Sequence, residues 1–132
     1  MIQRFALRTT ARNQLIDITS QIQEFISTAK FRDGICVVFT PHTTAAITIN
    51  ENADPSVKSD VLKKLGESFP KEDGYRHAEG NSDSHIKSSL VGCSETIIVA
   101  NGALVLGTWQ GVYFCEFDGP RSREFIVKLV SG

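Results

Sequence analysis

Apolar residues recur along this chain with two periods, near two and near 3.6, and the switches between them mark its elements. Residues 2 to 8 and 14 to 17 read as short strands. Ile18, Ile22, Phe25, Ile26 and Ala29 then recur at helical spacing behind a cap at Thr19 or Ser20, and Gln23, three residues after Ser20, completes a capping box. Asp33-Gly34 turns the chain into the apolar run Ile35-Cys36-Val37-Val38-Phe39-Thr40, of strand length and rich in β-branched residues, and residues 43 to 50 follow as an alternating strand. Asp54-Pro55 supplies an N-cap and a proline at the first helical position; Val57, Val61 and Leu65 mark one face of the helix, which ends near Gly66 to Phe69. Lys58, Lys63 and Lys64 form its solvated side. From Pro70 to about Asp83 the chain is rich in charge, glycine and serine, too long for a simple connector and therefore a candidate functional loop. Ser84 to Val91 is a short helix stopped by Gly92. The last third is β: Thr96–Val99 and Leu104–Leu106 flank the hairpin dipeptide Asn101-Gly102, and strands at 111 to 117 and 122 to 130 are separated by Asp118-Gly119-Pro120.

The order β-β-α-β-β-α-α followed by four strands lacks the regular alternation of a doubly wound parallel sheet, so the pattern predicts a single α+β domain over 1–132 on mainly antiparallel sheet with about three helices. At 132 residues the chain is too short for a (β/α)₈ barrel of about 250. Fourteen basic and fifteen acidic residues leave a formal charge of −1 with no basic stripe, which argues against nucleic acid as a partner. Neither a signal-length apolar run at Met1–Arg8 nor a membrane-length one elsewhere is visible, so no membrane partner and a cytoplasmic location are the expectations. Cys36, Cys93 and Cys115 are widely spaced without a C-x-x-C and read as buried, reduced thiols.

The three histidines lie in short segments crowded with polar, reactive side chains: Pro41-His42-Thr43-Thr44, Tyr75-Arg76-His77-Ala78-Glu79 and Ser82-Asp83-Ser84-His85. Imidazole is the commonest ligand for zinc and its neighbours and the side chain most easily tuned for proton transfer near neutral pH. An extended segment 42 to 50 places His42, Thr44, Ala46, Thr48 and Asn50 on one face and Ala45, Ile47 and Ile49 on the other. The same alternation sets Gln110, Val112, Phe114 and Glu116 against Tyr113, Cys115 and Phe117. Glu116 is then a charge among aromatics, to be paired with Arg121 or Arg123 as a structural ion pair or used in catalysis. Glycines around Trp109 suggest a close backbone approach or a bulge.

His42-Thr43-Thr44-Ala45-Ala46 running into Thr48-Ile49-Asn50-Glu51-Asn52-Ala53-Asp54-Pro55, then Tyr75-Arg76-His77, His85-Ile86-Lys87-Ser88-Ser89-Leu90, Leu106-Gly107-Thr108-Trp109-Gln110-Gly111, Glu116 and Gly119-Pro120-Arg121 closely resemble the YjbQ family over essentially the whole chain. The resemblance implies a YjbQ-like α+β fold assembled as a homotrimer, with a site near the subunit boundary that includes the histidines and binds a metal in some members. Carried onto this sequence, it places candidate metal ligands at His42, His77 and His85, with Asn50, Glu51, Trp109, Gln110, Glu116 and Arg121 beside them. Three imidazoles with an open fourth position would suit a zinc-like divalent metal. Glu51, Glu116 and Arg121 are then catalytic candidates, and Asn50, Arg76, Lys87, Ser88, Trp109 and Gln110 candidates for substrate binding.

The family, largely uncharacterised, is also called the secondary thiamine-phosphate synthase family after a weak activity, so the resemblance implies a metal-dependent enzyme with weak thiamine-phosphate synthase activity at the three-histidine site. A phosphorylated small-molecule ligand would be met by Arg76, Lys87 and Arg121, with Ser82, Ser84, Ser88 and Ser89 at or near a helix start. Two alternatives explain the same residues. One is a metal-assisted hydrolase of a small phosphorylated or carbonyl substrate, with Glu51 or Glu116 moving protons; the other is a trimeric metal- or small-molecule-binding protein without turnover.

Overall fold

In the computed structural model, which describes residues 1–132, the elements follow the predicted order. They are β1 (Ile2–Arg8), β2 (Gln14–Asp17), α1 (Thr19–Thr28), β3 (Gly34–Phe39), β4 (Ala45–Glu51), α2 (Pro55–Ser68), α3 (Ser82–Val91), β5 (Ser94–Ala100), β6 (Ala103–Leu104), β7 (Gln110–Glu116) and β8 (Ser122–Ser131). Every strand pair is antiparallel: one sheet has the order β1-β8-β3-β5-β6, the other β2-β7-β4.

The core lies between the two sheets because each contributes one alternating apolar face. Cys36, Val38, Ile97, Val99, Phe125, Val127 and Leu129 of the five-stranded sheet meet Ile47, Val112 and Phe114 of the three-stranded sheet, and α1 adds Ile22, Phe25 and Ile26. The other face of the three-stranded sheet carries Leu15, Ala46, Tyr113, Cys115 and Phe117, packed against Val61, Leu62, Leu65 and Val91 of α2 and α3. The outer face of the five-stranded sheet is uncovered. Ile35, Ile98 and Val130 are register partners there, Phe39 stands four residues along the same strand, and all are exposed.

Local sequence explains most element ends. Asp54 caps α2 by accepting from the Ser56 amide at 2.9 Å, with Pro55 in the first turn. Asn101 and Gly102 take φ of 53° and 79°, the paired positive values of a tight hairpin turn. Four expectations change. The capping box at Ser20 and Gln23 does not form: Asp17 accepts from the amide and hydroxyl of Thr19, while Gln23 reaches across to Gly102 O and the Leu104 amide. The strand expected at Leu104–Leu106 shrinks to Ala103–Leu104. β4 starts at Ala45, so His42 sits in a connecting loop and not at the head of a strand face. Cys93 is exposed, whereas Cys36 and Cys115 are buried and burial pushes their thiols up to about 11 and about 12.

Candidate functional site

The residues named from sequence divide between the two ends of the three-stranded sheet. Asn50, Glu51, Trp109 and Gln110 gather where β4 and β7 meet as Glu51↔Gln110, and the Asn52 amide donates to Trp109 O at 2.9 Å. Ala45↔Glu116 is the opposite end of the same pairing, ~20 Å away at the usual strand rise. The histidines, Arg76, Ser88, Glu116 and Arg121 belong to that end.

At the Glu51 end little chemistry is free. Asn50 Oδ1 accepts from the Glu51 amide at 2.7 Å and Glu51 Oε2 from the Asp54 amide at 3.2 Å, so both side chains shape the turn into α2. They border a narrow apolar slot under α2, lined by Leu15, Val57, Val61, Leu65 and Tyr113, of ≈ 60 Å³. The slot is a packing gap beside a helix that buries no side chain fully, and it lies apart from every histidine. Gln110 Oε1 accepts from the Gly107 amide at 2.8 Å, and Trp109 is exposed.

At the other end, two clefts share His85 as a wall. One, of ≈ 580 Å³, is lined by Phe39, Thr40, Pro41, His42, Thr43, His85, Ser88, Ser89, Gly92 and Cys93. The other, of ≈ 500 Å³, is lined by Tyr75, Arg76, His77, Ser82, His85 and Ile86. His77 and His85 meet edge to face, ring centroids 5.5 Å apart. The candidate loop thus does bring Arg76 and His77 to α3, and the helix begins at Ser82, two residues earlier than expected.

A charged lattice positions the His42 loop. Glu116 is fully buried and accepts from Thr9 Oγ1 at 2.7 Å, from the Asp118 amide at 3.0 Å and from Arg123 Nε at 2.8 Å, with Arg123 Nη2 on its second oxygen. Burial alone would raise its pKa, but these donors together hold it below the usual carboxylate value. Of the two arginines expected as partners, Arg123 takes the role; exposed Arg121 binds Asp118 at 3.0 Å. Arg123 Nη2 also donates to Thr44 Oγ1 at 2.8 Å, so the pair clamps the end of the loop. Gly119 is required above this pair: a Cβ there would lie 2.2 Å from Ala11 O and 2.9 Å from Glu116 Cγ.

Helix α3 is held by a second lattice. Lys87, 2% exposed, lies 3.2 Å from Asp83 Oδ2 and 3.3 Å from Asn13 Oδ1, while Arg12 Nη2 meets Asp83 Oδ1 at 3.0 Å. Ser84 Oγ donates to Phe117 O and Ser88 Oγ to Ala45 O. Lys87 is therefore no free cation for a ligand, and Ser88 touches the cleft with its hydroxyl already committed.

The three imidazoles do not converge into one coordination sphere. No group of three or more His, Cys, Asp or Glu side chains in the protomer is arranged to hold a metal ion. His42 Nε2 accepts the Glu124 amide at 2.9 Å, which leaves Nδ1 as the one ring nitrogen open to a ligand. The donor set of one protomer does not fit the zinc-like site expected from the sequence. Arg123 was legible as one of two expected partners of a lone buried glutamate, but nothing in the sequence flagged Thr9 and Thr44 as supports of the site.

Such a chain is a two-sheet α+β domain with an open, imidazole-walled cleft at one end of its smaller sheet. Residues 3–132 match the family described as UPF0047 protein YjbQ-like. The chain belongs to that family. It is 57% identical over 130 residues to a UPF0047 protein of Methanocaldococcus jannaschii, covering 98% of this chain and 94% of that one. Against the UPF0047 protein YugU of Bacillus subtilis the identity is 50% over 131 residues, covering 98% and 99%. Among solved structures, an uncharacterized YjbQ/UPF0047 protein of Clostridium acetobutylicum superposes with a TM-score of 0.95 at 53% identity, over 97% of this chain and 99% of that one. A protein of unknown function from Sulfolobus solfataricus gives 0.96 at 30% identity, over 100% and 97%. The function of the family is not known. No helix here is long and apolar enough to cross a membrane.

Proposed function

We propose that the protein is a small-molecule enzyme working by hydrogen bonding and proton transfer in the cleft between the Thr40–Thr43 loop and α3, on a substrate bearing a carbonyl or phosphoryl group. The observation that carries this reading is that His42 and His85 wall one open polar cleft of ≈ 580 Å³, a size suited to a small metabolite, for which pockets run roughly 300–1,000 Å³. Ser89 and Cys93 line it too, and Arg76, which has no ion-pair partner, flanks the adjoining cleft with His77. Thiamine-phosphate synthesis draws less support from the geometry, because it must stabilise a pyrophosphate leaving group. Of its three expected cations, Lys87 is buried on Asp83, Arg121 holds Asp118, and Arg76 remains.

The trimer implied by the resemblance belongs to the same proposal. Ile35, Phe39, Ile98 and Val130 form an exposed apolar patch of the kind that marks an interface, and Phe39 also lines the histidine cleft. A copy docked on this face would border the site. Only across such a boundary would Asn50, Glu51, Trp109 and Gln110 join the cleft, and only there would a metal on His77 and His85 find a third protein ligand.

The test is a panel of small phosphate monoesters, carbonyl compounds and the two thiamine-phosphate precursors, scored for turnover and equilibrium binding with wild type and His85→Ala, alongside metal analysis of untagged protein. Turnover lost in His85→Ala supports the enzyme reading. Binding without turnover favours the non-catalytic trimer, and conversion indifferent to His85 and His42 removes the proposal. Sedimentation of dilute wild type as a monomer would remove the trimer.

A further inference from the structure

Where β3 leaves β8, the Glu124 amide has lost its strand partner on that side, and His42 takes its place. Pairing of β3 with β8 runs as far as Phe39↔Ile126, after which the chain departs through Thr40 and Pro41. Two residues on, the Glu124 amide donates to His42 Nε2 at 2.9 Å. A ring nitrogen that accepts a hydrogen bond carries no proton, so the proton of the neutral imidazole sits on Nδ1. The loop cannot easily change this. Its start is tied by Thr40 N to Cys93 O at 2.9 Å, and its end by Phe117 N to Thr44 O at 3.2 Å and by the Arg123 guanidinium on Thr44. The Nδ1–H finds no partner within the protein, while the ring lines the cleft opposite His85.

We propose that His42 serves the cleft as a neutral, tautomer-fixed hydrogen-bond donor, offering Nδ1–H to a carbonyl, carboxylate or phosphoryl oxygen of the bound molecule; this rests on the reading of the cleft given above. A donor held in place before the ligand arrives needs no reorganisation when charge develops on that oxygen. The charged and titratable groups around the ring and its cleft are Arg123 and Glu124 of β8, Glu116 at the end of β7, Arg121 of the loop between them, His85 of α3 and the exposed Cys93 just before β5. Burial first, then Arg123, lowers the His42 pKa from its ordinary 6.5, outweighing the two glutamates, so the ring stays uncharged at neutral pH. Glu116 and Arg123 are positioning residues in this scheme, acting through the loop.

Long-range ¹H–¹⁵N correlation of the ring nitrogens in the full-length wild type tests the inference without any variant. The expected spectrum at pH 7 shows His42 neutral, with Nδ1 protonated and Nε2 as acceptor, and its Nδ1–H signal moves on titration with inorganic phosphate or acetate. An Nε2–H tautomer, or a cationic ring at pH 7, overturns the inference and leaves the cleft reading intact. So does phosphate that shifts His85 but not His42. Probes that shift neither ring argue against the cleft reading itself and take the donor role with it. Among variants, His42→Asn keeps an N–H near the Nδ1 position and is expected to bind the probe more tightly than His42→Gln, which lacks it, by about tenfold for one hydrogen bond to a charged group. Equal binding by the two overturns the inference.

Discussion

α1 and α3 are both ten residues long and bury opposite kinds of side chain. α1 turns Ile22, Phe25 and Ile26 into the core, whereas α3 turns Asp83, Ser84, Lys87 and Ser88 inward and leaves Leu90 exposed. Apolar burial is non-directional and tolerates a small rotation or slide. Four inward polar groups, each with a named partner outside α3, tolerate neither, because any displacement leaves a buried donor or charge unpaired. The difference teaches what each helix is for: α1 stabilises the domain, and α3 fixes the position of His85 and Ser89 on its outward side.

The sharpest way to break the comparison is Asp83→Ala. It leaves buried Lys87 with only Asn13, and removing one partner of a buried ion pair costs about 3–5 kcal/mol; urea unfolding checks it. In α1, Ile26→Val should cost about 0.5–1.5 kcal/mol by the same measurement. Replacing both charges together, Asp83→Leu with Lys87→Met, should return stability to within about 1 kcal/mol of wild type, because the desolvation cost goes with the pair. If the double variant is as unstable as Asp83→Ala, α3 stabilises as α1 does and the distinction fails.

The smallest effect is on pH. His42 and Glu116 both have folded pKa values below their ordinary 6.5 and 4.5, so each group contributes stability that is fully present above its ordinary value. That contribution is lost as pH falls through the folded one. Unfolding free energy should therefore decline in two stages below pH 6.5, the first absent in His42→Asn. The apolar interior of α1 adds nothing to either stage.

The fold was legible where local chemistry decides it. Alternation placed β7 and its two faces, Asp54-Pro55 started α2, and Asn101-Gly102 turned β5 into β6. α3 was legible as a helix but not in its orientation: Asp83, Ser84, Lys87 and Ser88 share a face, and a rule that puts polar residues outside offers three of them, Ser84, Lys87 and Ser88, to a ligand. The partners that invert it, Asn13, Arg12, Phe117 O and Ala45 O, are distant in sequence. The candidate site was legible as a set of residue types and not as a geometry. Asn50 and Glu51 sit in the same motif as His42, yet the length of β4 carries them to the far end of the sheet, where they meet Gln110 at the start of β7. The lock on His42 was invisible because it depends on where β3 leaves β8, a feature of pairing and not of composition.

A crystal structure of the wild-type protein soaked with inorganic phosphate, and separately with acetate, tests the site most directly. The account predicts an oxygen of the bound anion ~3 Å from His42 Nδ1, with Nε2 still on the Glu124 amide and His85 on the opposite wall. Anion bound only in the slot under α2, or a His42 ring turned away from Glu124, would contradict it.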